Sequence, residues 1–200
     1  LIEPASVAFH AVRRSQLQVG DVVCVVGCGP IGLLTAQVAK AAGAGVVIAV
    51  EPDETRRKLA LATGSDIAVA PGDELRGVLD DLTQGLQADI AFDCAGIPQT
   101  MQQSVDMVRR GGSVCLVGVT GQQAQISPIR WISKEVTLNT SMVFTLEEMK
   151  ATANMIFDGR LSVAPLRGDV IDLDSLGTTI DDLAERRIDA VKILVDPTAG

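Results

Sequence analysis

The stretch Val22-Val23-Cys24-Val25-Val26-Gly27-Cys28-Gly29-Pro30-Ile31-Gly32 decides the fold. Its first five residues are apolar and mostly β-branched, which reads as a buried strand, and the glycines at 27, 29 and 32 have the spacing of a strand-to-helix turn. Each glycine has a mechanical task in a dinucleotide site. Gly27 allows the tight turn, Gly29 lets backbone approach a pyrophosphate, and Gly32 lets the following helix pack against the strand. Pro30 suits the first helical position at the expense of one donor, leaving the Ile31 and Gly32 amides to face phosphate oxygens.

Working outward, residues 31–42 read as a helix closed by Gly43 and Gly45, and 46–50 as a second strand ending in Glu51. Glu51 stands 24 positions after Gly27, close to the spacing of about 20 expected for the acid that binds the adenosine ribose. A carboxylate there accepts hydrogen bonds from both ribose hydroxyls and repels a 2′-phosphate, so the coenzyme is read as NAD rather than NADP. For Arg56, in the next helix, two readings stand: a side chain stacked on adenine, or an ordinary solvated helix arginine.

The alternation continues along the chain. Residues 53–62 read as a helix, 66–69 as a strand, 74–82 as a helix, 89–93 as a strand and 100–108 as a helix. Gly111 and Gly112 then break the chain before a strand over 113–117. A longer connection holding Pro128 and Trp131 leads to a strand over 135–140. Strands alternating with helices at this spacing imply right-handed crossovers and a parallel sheet covered on both faces. Beyond it come a helix over 145–157 with Thr145 as N-cap, a strand over 170–173, a helix from 175 to about 186 and a strand over 191–195. The expectation is an α/β, Rossmann-type doubly wound parallel sheet. Residues 1–16 form a linking helix, 17–143 the dinucleotide unit and 144–200 a C-terminal segment.

Composition agrees with this. Hydrophobic residues make up 47% of the chain but aromatics only 2%, so the core has to be aliphatic, as suits a buried parallel sheet between Ala-rich helices. A net charge of −8 with scattered basic residues argues against nucleic acid. No apolar run reaches the ~18–20 residues of a membrane span, and no signal peptide is legible. The opening Leu1-Ile2-Glu3-Pro4 reads as a domain cut from a longer chain. Cys24, Cys28, Cys94 and Cys115 form no CxxC pair and His10 is the only histidine, which reads as buried packing thiols in a reducing, cytoplasmic setting and not as a zinc knuckle.

The segment 22–40, Ile48-Ala49-Val50-Glu51, Gly64-Ser65-Asp66, Gly111-Gly112 with Gly118, and Asp189-Ala190-Val191-Lys192 with Asp196-Pro197 resemble the zinc-containing medium-chain alcohol and polyol dehydrogenases. Ile2-Glu3-Pro4 with His10-Ala11-Val12 resembles the sorbitol, threonine and butanediol branch. Gly27-Cys28-Gly29 with Glu51 departs from the non-zinc quinone reductases, which read Ala-x-x-Gly-x-x-Gly and prefer NADPH. The resemblance implies that Ile31, Glu51 and Arg56 contact pyrophosphate, ribose and adenine. It places Cys94, Ala95 and Gly96 beside the adenosine half, and Val117, Gly118 and Val119 at the nicotinamide carboxamide. Ser141, Met142 and Val143 border the nicotinamide ribose, while Phe144 stands where relatives often carry Tyr. For Glu3 two readings stand: an approach to the catalytic zinc, directly or through water, or an ordinary acid at a helix N-terminus. His10 reads as a packed helix residue.

The resemblance further implies that the zinc ligands and most of the substrate pocket lie on a GroES-like catalytic domain, so that this chain binds NAD without oxidising an alcohol by itself. The expected parent enzyme oxidises a secondary alcohol or polyol, a small-molecule substrate, by hydride transfer to NAD. It acts as a homodimer or homotetramer joined through the strand near 135–140. The alternatives are a non-catalytic nucleotide-sensing module and an NADP-dependent reductase of the same superfamily.

Overall fold

In the computed structural model, residues 1–185, 187–188 and 190–199 are described. Arg186 and Asp189, which the sequence reading placed in the last helix and the closing family-like segment, lie outside the described residues, as does Gly200. A leading helix α1 (Ile2–Arg14) precedes the apolar run, which becomes β1 (Val22–Val26). Four of its five residues are buried, because helices cover both faces of the sheet and no polar alternation is needed. After the glycine turn comes α2 (Pro30–Ala41), with Gly29 as N-cap and Pro30 in the first turn. It is apolar on nearly all sides, since α1 packs across it with a face of Ala5, Ala8 and Ala11.

The chain then continues through β2 (Val46–Val50), α3 (Glu54–Ala62), β3 (Ile67–Val69), α4 (Asp73–Thr83), β4 (Ala88–Asp93), α5 (Pro98–Met107), β5 (Val108–Leu116), α6 (Pro128–Lys134), β6 (Thr137–Thr140) and α7 (Leu146–Phe157). All six strands are parallel, in the order β3-β2-β1-β4-β5-β6. β1 pairs with β2 on one side (Val22 opposite Val46) and with β4 on the other (Val23 opposite Ile90). Strand order therefore reverses between β1 and β4, which opens a crevice at their C-terminal ends. The core beneath it is aliphatic, built from Val23, Val25, Leu33, Leu34, Ile48 and Ile90 around Phe92. The expected doubly wound sheet is present.

Two differences from the sequence reading lie around β5. Gly111 and Gly112 do not break the chain before β5; the strand begins at Val108 and runs through them. Between the pairs Ala88–Val108 and Ile90–Ser113, β4 advances 2 residues and β5 advances 5. The extra residues form an irregularity in which Gly111 adopts φ +70°, a conformation natural to glycine. The connection holding Pro128 and Trp131 is not a loop but contains α6. Trp131 Nε1 donates to Gln102 Oε1 at 3.0 Å, and Lys134 Nζ donates to the carbonyls of Val105, Asp106 and Val108 at 2.7–3.0 Å, closing the C-terminal end of α5.

Thr145 does cap α7, in a reciprocal box with Glu148. The compact unit extends from Leu1 to Ser162, past residue 143 where the sequence reading ended the dinucleotide unit. Two ties account for the added length. His10 Nδ1 donates to Glu148 Oε2 at 2.9 Å, and Gln37 exchanges two hydrogen bonds with the Ser162 backbone at 2.8 and 3.0 Å. Val163–Gly200 forms a second unit. Within it, β7 (Val170–Ile171) and β8 (Leu194–Val195) pair in parallel around α8 (Leu176–Ala184), both strands shorter than their apolar runs suggested.

Candidate functional site

The turn after β1 places Gly27 at φ +91°, with its amide donating to the Val50 carbonyl at 2.9 Å. A Cβ on Gly27 would lie 3.0 Å from the Ala95 backbone, and a Cβ on Gly32 would strike the Gly27 carbonyl oxygen. Both glycines therefore serve the packing of the turn. Gly29 is different: its φ is −73° and no atom lies within 4 Å of where its Cβ would be. Open space at Gly29 is what a close-approaching ligand requires. The first-turn amides of Ile31 and Gly32, just past Pro30, have no intrahelical acceptor, and no acidic side chain occupies that turn. The helix end is thus electropositive and available to an anion.

Glu51 continues from the end of β2 and is 6% exposed. Its Oε2 accepts from the Cys28 amide at 2.8 Å and its Oε1 from the Asp53 amide at 3.1 Å. The following basic pair divides its work. Arg57 donates to the Glu51 and Pro52 carbonyls at 2.8 and 2.6 Å and fixes the strand end, whereas Arg56 lines a cleft of about 410 Å³. Gly27, Gly29, Glu51, Cys94 and Ala95 line the same cleft, together with Pro52, Ile97 and Thr100. The structure therefore brings Glu51, Arg56, Cys94 and Ala95 of the sequence reading to one cleft, whereas Ile31 and Gly96 are not in its lining.

Beyond the cleft, three loops form a continuous rim at the C-terminal ends of β4, β5 and β6. Their organiser is Asp93, a residue the sequence reading treated only as a strand end. It is 4% exposed. Its Oδ1 accepts from the Ala95 and Gly96 amides at 3.1 and 3.4 Å, and Thr100 Oγ1 donates to both carboxylate oxygens at 3.0 and 2.8 Å. The Asp93 carbonyl accepts from Val117 and Gly118 at 2.9 and 2.8 Å. Burial pushes the Asp93 carboxyl above its usual range, against the hydrogen bonds from Thr100, Ala95 and Gly96. The signal available in the sequence was an acid closing a buried strand with Gly96 and Thr100 soon after it.

At this rim two backbones touch, for a Cβ on Gly118 would collide with the Gly96 amide nitrogen. The Ser141 amide reaches the Leu116 carbonyl at 2.9 Å and ties in the third loop. Ser141 is buried, and its Oγ has no partner among the described residues. Val119, Met142 and Val143 stand exposed beyond it, and Val143 has φ +56°.

Glu3 is exposed in the first turn of α1 and joins no ligand set. Among the described residues, no three His, Cys, Asp or Glu side chains gather closely enough to hold a metal ion. The four cysteines are free thiols. Burial pushes Cys24 and Cys28 up to about 12 and Cys115 up to about 11, and raises Cys94 as well, so none is a ready thiolate donor. The described residues do not make a zinc site.

Comparison with known proteins agrees with this geometry. A family model described as zinc-binding dehydrogenase matches residues 30–158. (R,R)-butanediol dehydrogenase of Bacillus subtilis is 33% identical over 204 residues, which cover 98% of this chain and 57% of that protein. The crystal structure of 2R,3R-butanediol dehydrogenase from Bacillus subtilis superposes with a TM-score of 0.88 at 33% identity, covering 99% of this chain and 57% of that one. A zinc-binding dehydrogenase of Sinorhizobium meliloti 1021, solved bound to NADP, gives 0.86 at 29% identity, covering 98% and 58%. The chain spans about half the length of the curated relatives it matches.

Proposed function

The chain belongs to the zinc-binding dehydrogenase family, and from that premise we propose that it is the coenzyme-binding part of an oxidoreductase that transfers hydride between a secondary alcohol or polyol and NAD. One observation carries the reading. Glu51, nearly buried and held by the Cys28 amide, presents its carboxylate in the cleft that the phosphate turn also lines. Two ribose hydroxyls suit that carboxylate as donors; a 2′-phosphate would meet it charge against charge.

When bound, NAD supplies the hydride acceptor at its nicotinamide ring. This chain's residues bind and orient it. The Ile31 and Gly32 amides, beyond Gly29 and Pro30, hold the pyrophosphate, Glu51 the ribose, and Arg56 stacks on adenine. Cys94, Ala95 and Gly96 border the adenosine half. Val117, Gly118 and Val119 offer backbone groups to the carboxamide, and Ser141, Met142 and Val143 border the second ribose. Residues 17–143 are assigned as the NAD-binding unit, 1–16 as a link and 144–200 as a return to a catalytic domain. The family's metal has no ligand set among the described residues; Glu3 alone is assigned to its neighbourhood, and no step is built on it.

Two further parts of the reading follow. Free cysteines, three of them buried, support a reducing, cytoplasmic setting. Strand β6 pairs with β5 on one side only and exposes Leu138, which supports its use as a joining edge between two copies. Sedimentation of the purified protein as a monomer at high concentration would contradict that edge.

Titration with NAD and NADP tests the central claim. NAD is expected to bind at least about ten-fold tighter, the worth of one charge-assisted hydrogen bond. Equal or tighter NADP binding overturns the choice of coenzyme and points to Arg56 as a phosphate ligand. No binding of either overturns the dinucleotide reading.

A further inference from the structure

We propose that Thr100, acting through Asp93, is a positioning residue for the nicotinamide end of the coenzyme, a role that rests on the coenzyme reading above. Neither side chain belongs to the contact set assigned there.

Asp93 closes β4, paired with Val26 on one side and Leu116 on the other. It therefore stands at the switch point, between the two halves of a dinucleotide laid across the crevice. Thr100, in the first turn of α5, is on the adenosine side, where it lines the cleft with Glu51 and Arg56. Val117 and Gly118, assigned to the carboxamide, are not in that lining.

A hydrogen-bonded path joins the two places. The Thr100 hydroxyl holds the Asp93 carboxylate at 3.0 and 2.8 Å, and that carboxylate holds the Ala95 and Gly96 amides at 3.1 and 3.4 Å. Gly96 in turn abuts the next loop without slack, since a Cβ on it would lie 2.9 Å from the Val119 carbonyl oxygen. From the other side, the Asp93 carbonyl takes both the Val117 and the Gly118 amides. The Val117–Gly118 peptide is thus clamped between the Asp93 main chain and the loop that the Asp93 side chain holds. The Val117 carbonyl and the Gly118 N–H share one planar unit. The bond to Asp93 therefore sets the direction of that carbonyl, and a carboxamide NH₂ needs such an acceptor.

Packing alone does not call for an acid at this position. Its neighbours at the same level of the sheet are the apolar Val26 and Leu116. A carboxylate only 4% exposed is costly unless its oxygens are paired, and the buried Thr100 supplies that pairing. Without the hydroxyl the carboxylate is short of a donor. The loop 94–97 then loses its anchor, and the peptide behind it loses one wall of its clamp.

Calorimetric titration of the full-length protein with AMP, ADP-ribose and NAD tests this, because the three probes extend step by step from the adenosine end. Thr100→Val keeps the side-chain shape and removes the hydroxyl. We expect AMP affinity to stay within about two-fold, while the preference for NAD over ADP-ribose falls by about five- to ten-fold, the worth of one lost hydrogen bond. Thr100→Ser should restore that preference. If Thr100→Val does not fold, Asp93→Asn, which gives up one acceptor and keeps the other, is read in the same way. Equal weakening of AMP and NAD, an unchanged preference, or a loss in Thr100→Ser as large as in Thr100→Val overturns the positioning role and leaves the coenzyme reading intact. Wild-type protein that binds neither AMP nor NAD overturns the coenzyme reading and this role with it.

Discussion

The Cys28 amide donates to Glu51 Oε2 at 2.8 Å, across the gap between the β1–α2 turn and the end of β2. The glycine turn proposed for the pyrophosphate and the acid proposed for the ribose are therefore one hydrogen-bonded unit, and substitution of Glu51 acts on both. Glu51→Gln keeps an acceptor for the Cys28 amide but removes the charge. NAD affinity should fall by about ten-fold or more, the difference between a charged and a neutral acceptor, while NADP affinity falls less or rises. Glu51→Ala also leaves the Cys28 and Asp53 amides without their partner, so it should cost about 1–3 kcal/mol of folding stability in addition. Calorimetric titration and urea unfolding separate the two effects.

Two glycines of one motif, Gly32 and Gly29, should behave in opposite ways. Gly32→Ala puts a methyl group onto the Gly27 carbonyl and should destabilise the fold, with coenzyme binding lost as a consequence. Gly29→Ala meets nothing within 4 Å and already has an ordinary φ of −73°. It should leave the melting temperature within about 2 °C, as expected for a strain-free surface change, and still weaken NAD binding by blocking the pyrophosphate. Thermal melts with NAD titration of both variants check this. A Gly29→Ala protein that binds NAD as tightly as wild type removes the pyrophosphate from that position.

Much of this unit was legible in the sequence because its signals are local. Val22–Gly32 and Glu51 carry their geometry in residue type and spacing, and the structure brings them to one cleft. Gly111-Gly112 misled, since glycine signals a departure from regular pairing and does not say whether the strand ends or bulges. Helix α6 was hidden by its shortness and by depending on partners far along the chain, Gln102 for Trp131 and the end of α5 for Lys134. Asp93 was missed for a similar reason: its partners sit on two loops, and only the fold places Gly118 beside Gly96.

Asp93 yields a prediction about pH. Burial raises its carboxyl pKa above the usual 3.8 in the folded protein. Between the unfolded and folded values the native state holds more protons, so Asp93 lowers stability as pH rises through that window. Its contribution is fully present below 3.8 and lost above the folded value. Asp93→Asn keeps an acceptor for the loop and abolishes the titration. Its melting temperature relative to wild type should therefore increase from pH 3.5 upward to neutrality, at about constant salt. A difference that does not vary with pH contradicts the shift.

Glu148 is as buried as Asp93, at 5% exposure, yet should respond with the opposite sign. Burial alone would push its carboxyl up. The Thr145 amide, donating at 2.8 Å, and His10, donating at 2.9 Å, outweigh that and hold it below the usual 4.5. Here the unfolded chain holds more protons between the two values, so the contribution is present above 4.5 and disappears as pH falls through the folded value. Glu148→Gln should be clearly less stable than wild type at neutral pH, and the gap should narrow in acid. His10→Ala removes one of the donors and should shift the onset of that acid loss towards higher pH. Because His10 lies on α1 and Glu148 in the first turn of α7, the same variants should loosen the loop 141–145 that leads into the helix. Amide exchange at Met142 and Val143 measures that directly: faster exchange in His10→Ala is the expected result, and unchanged exchange would confine the pair to a purely local tie.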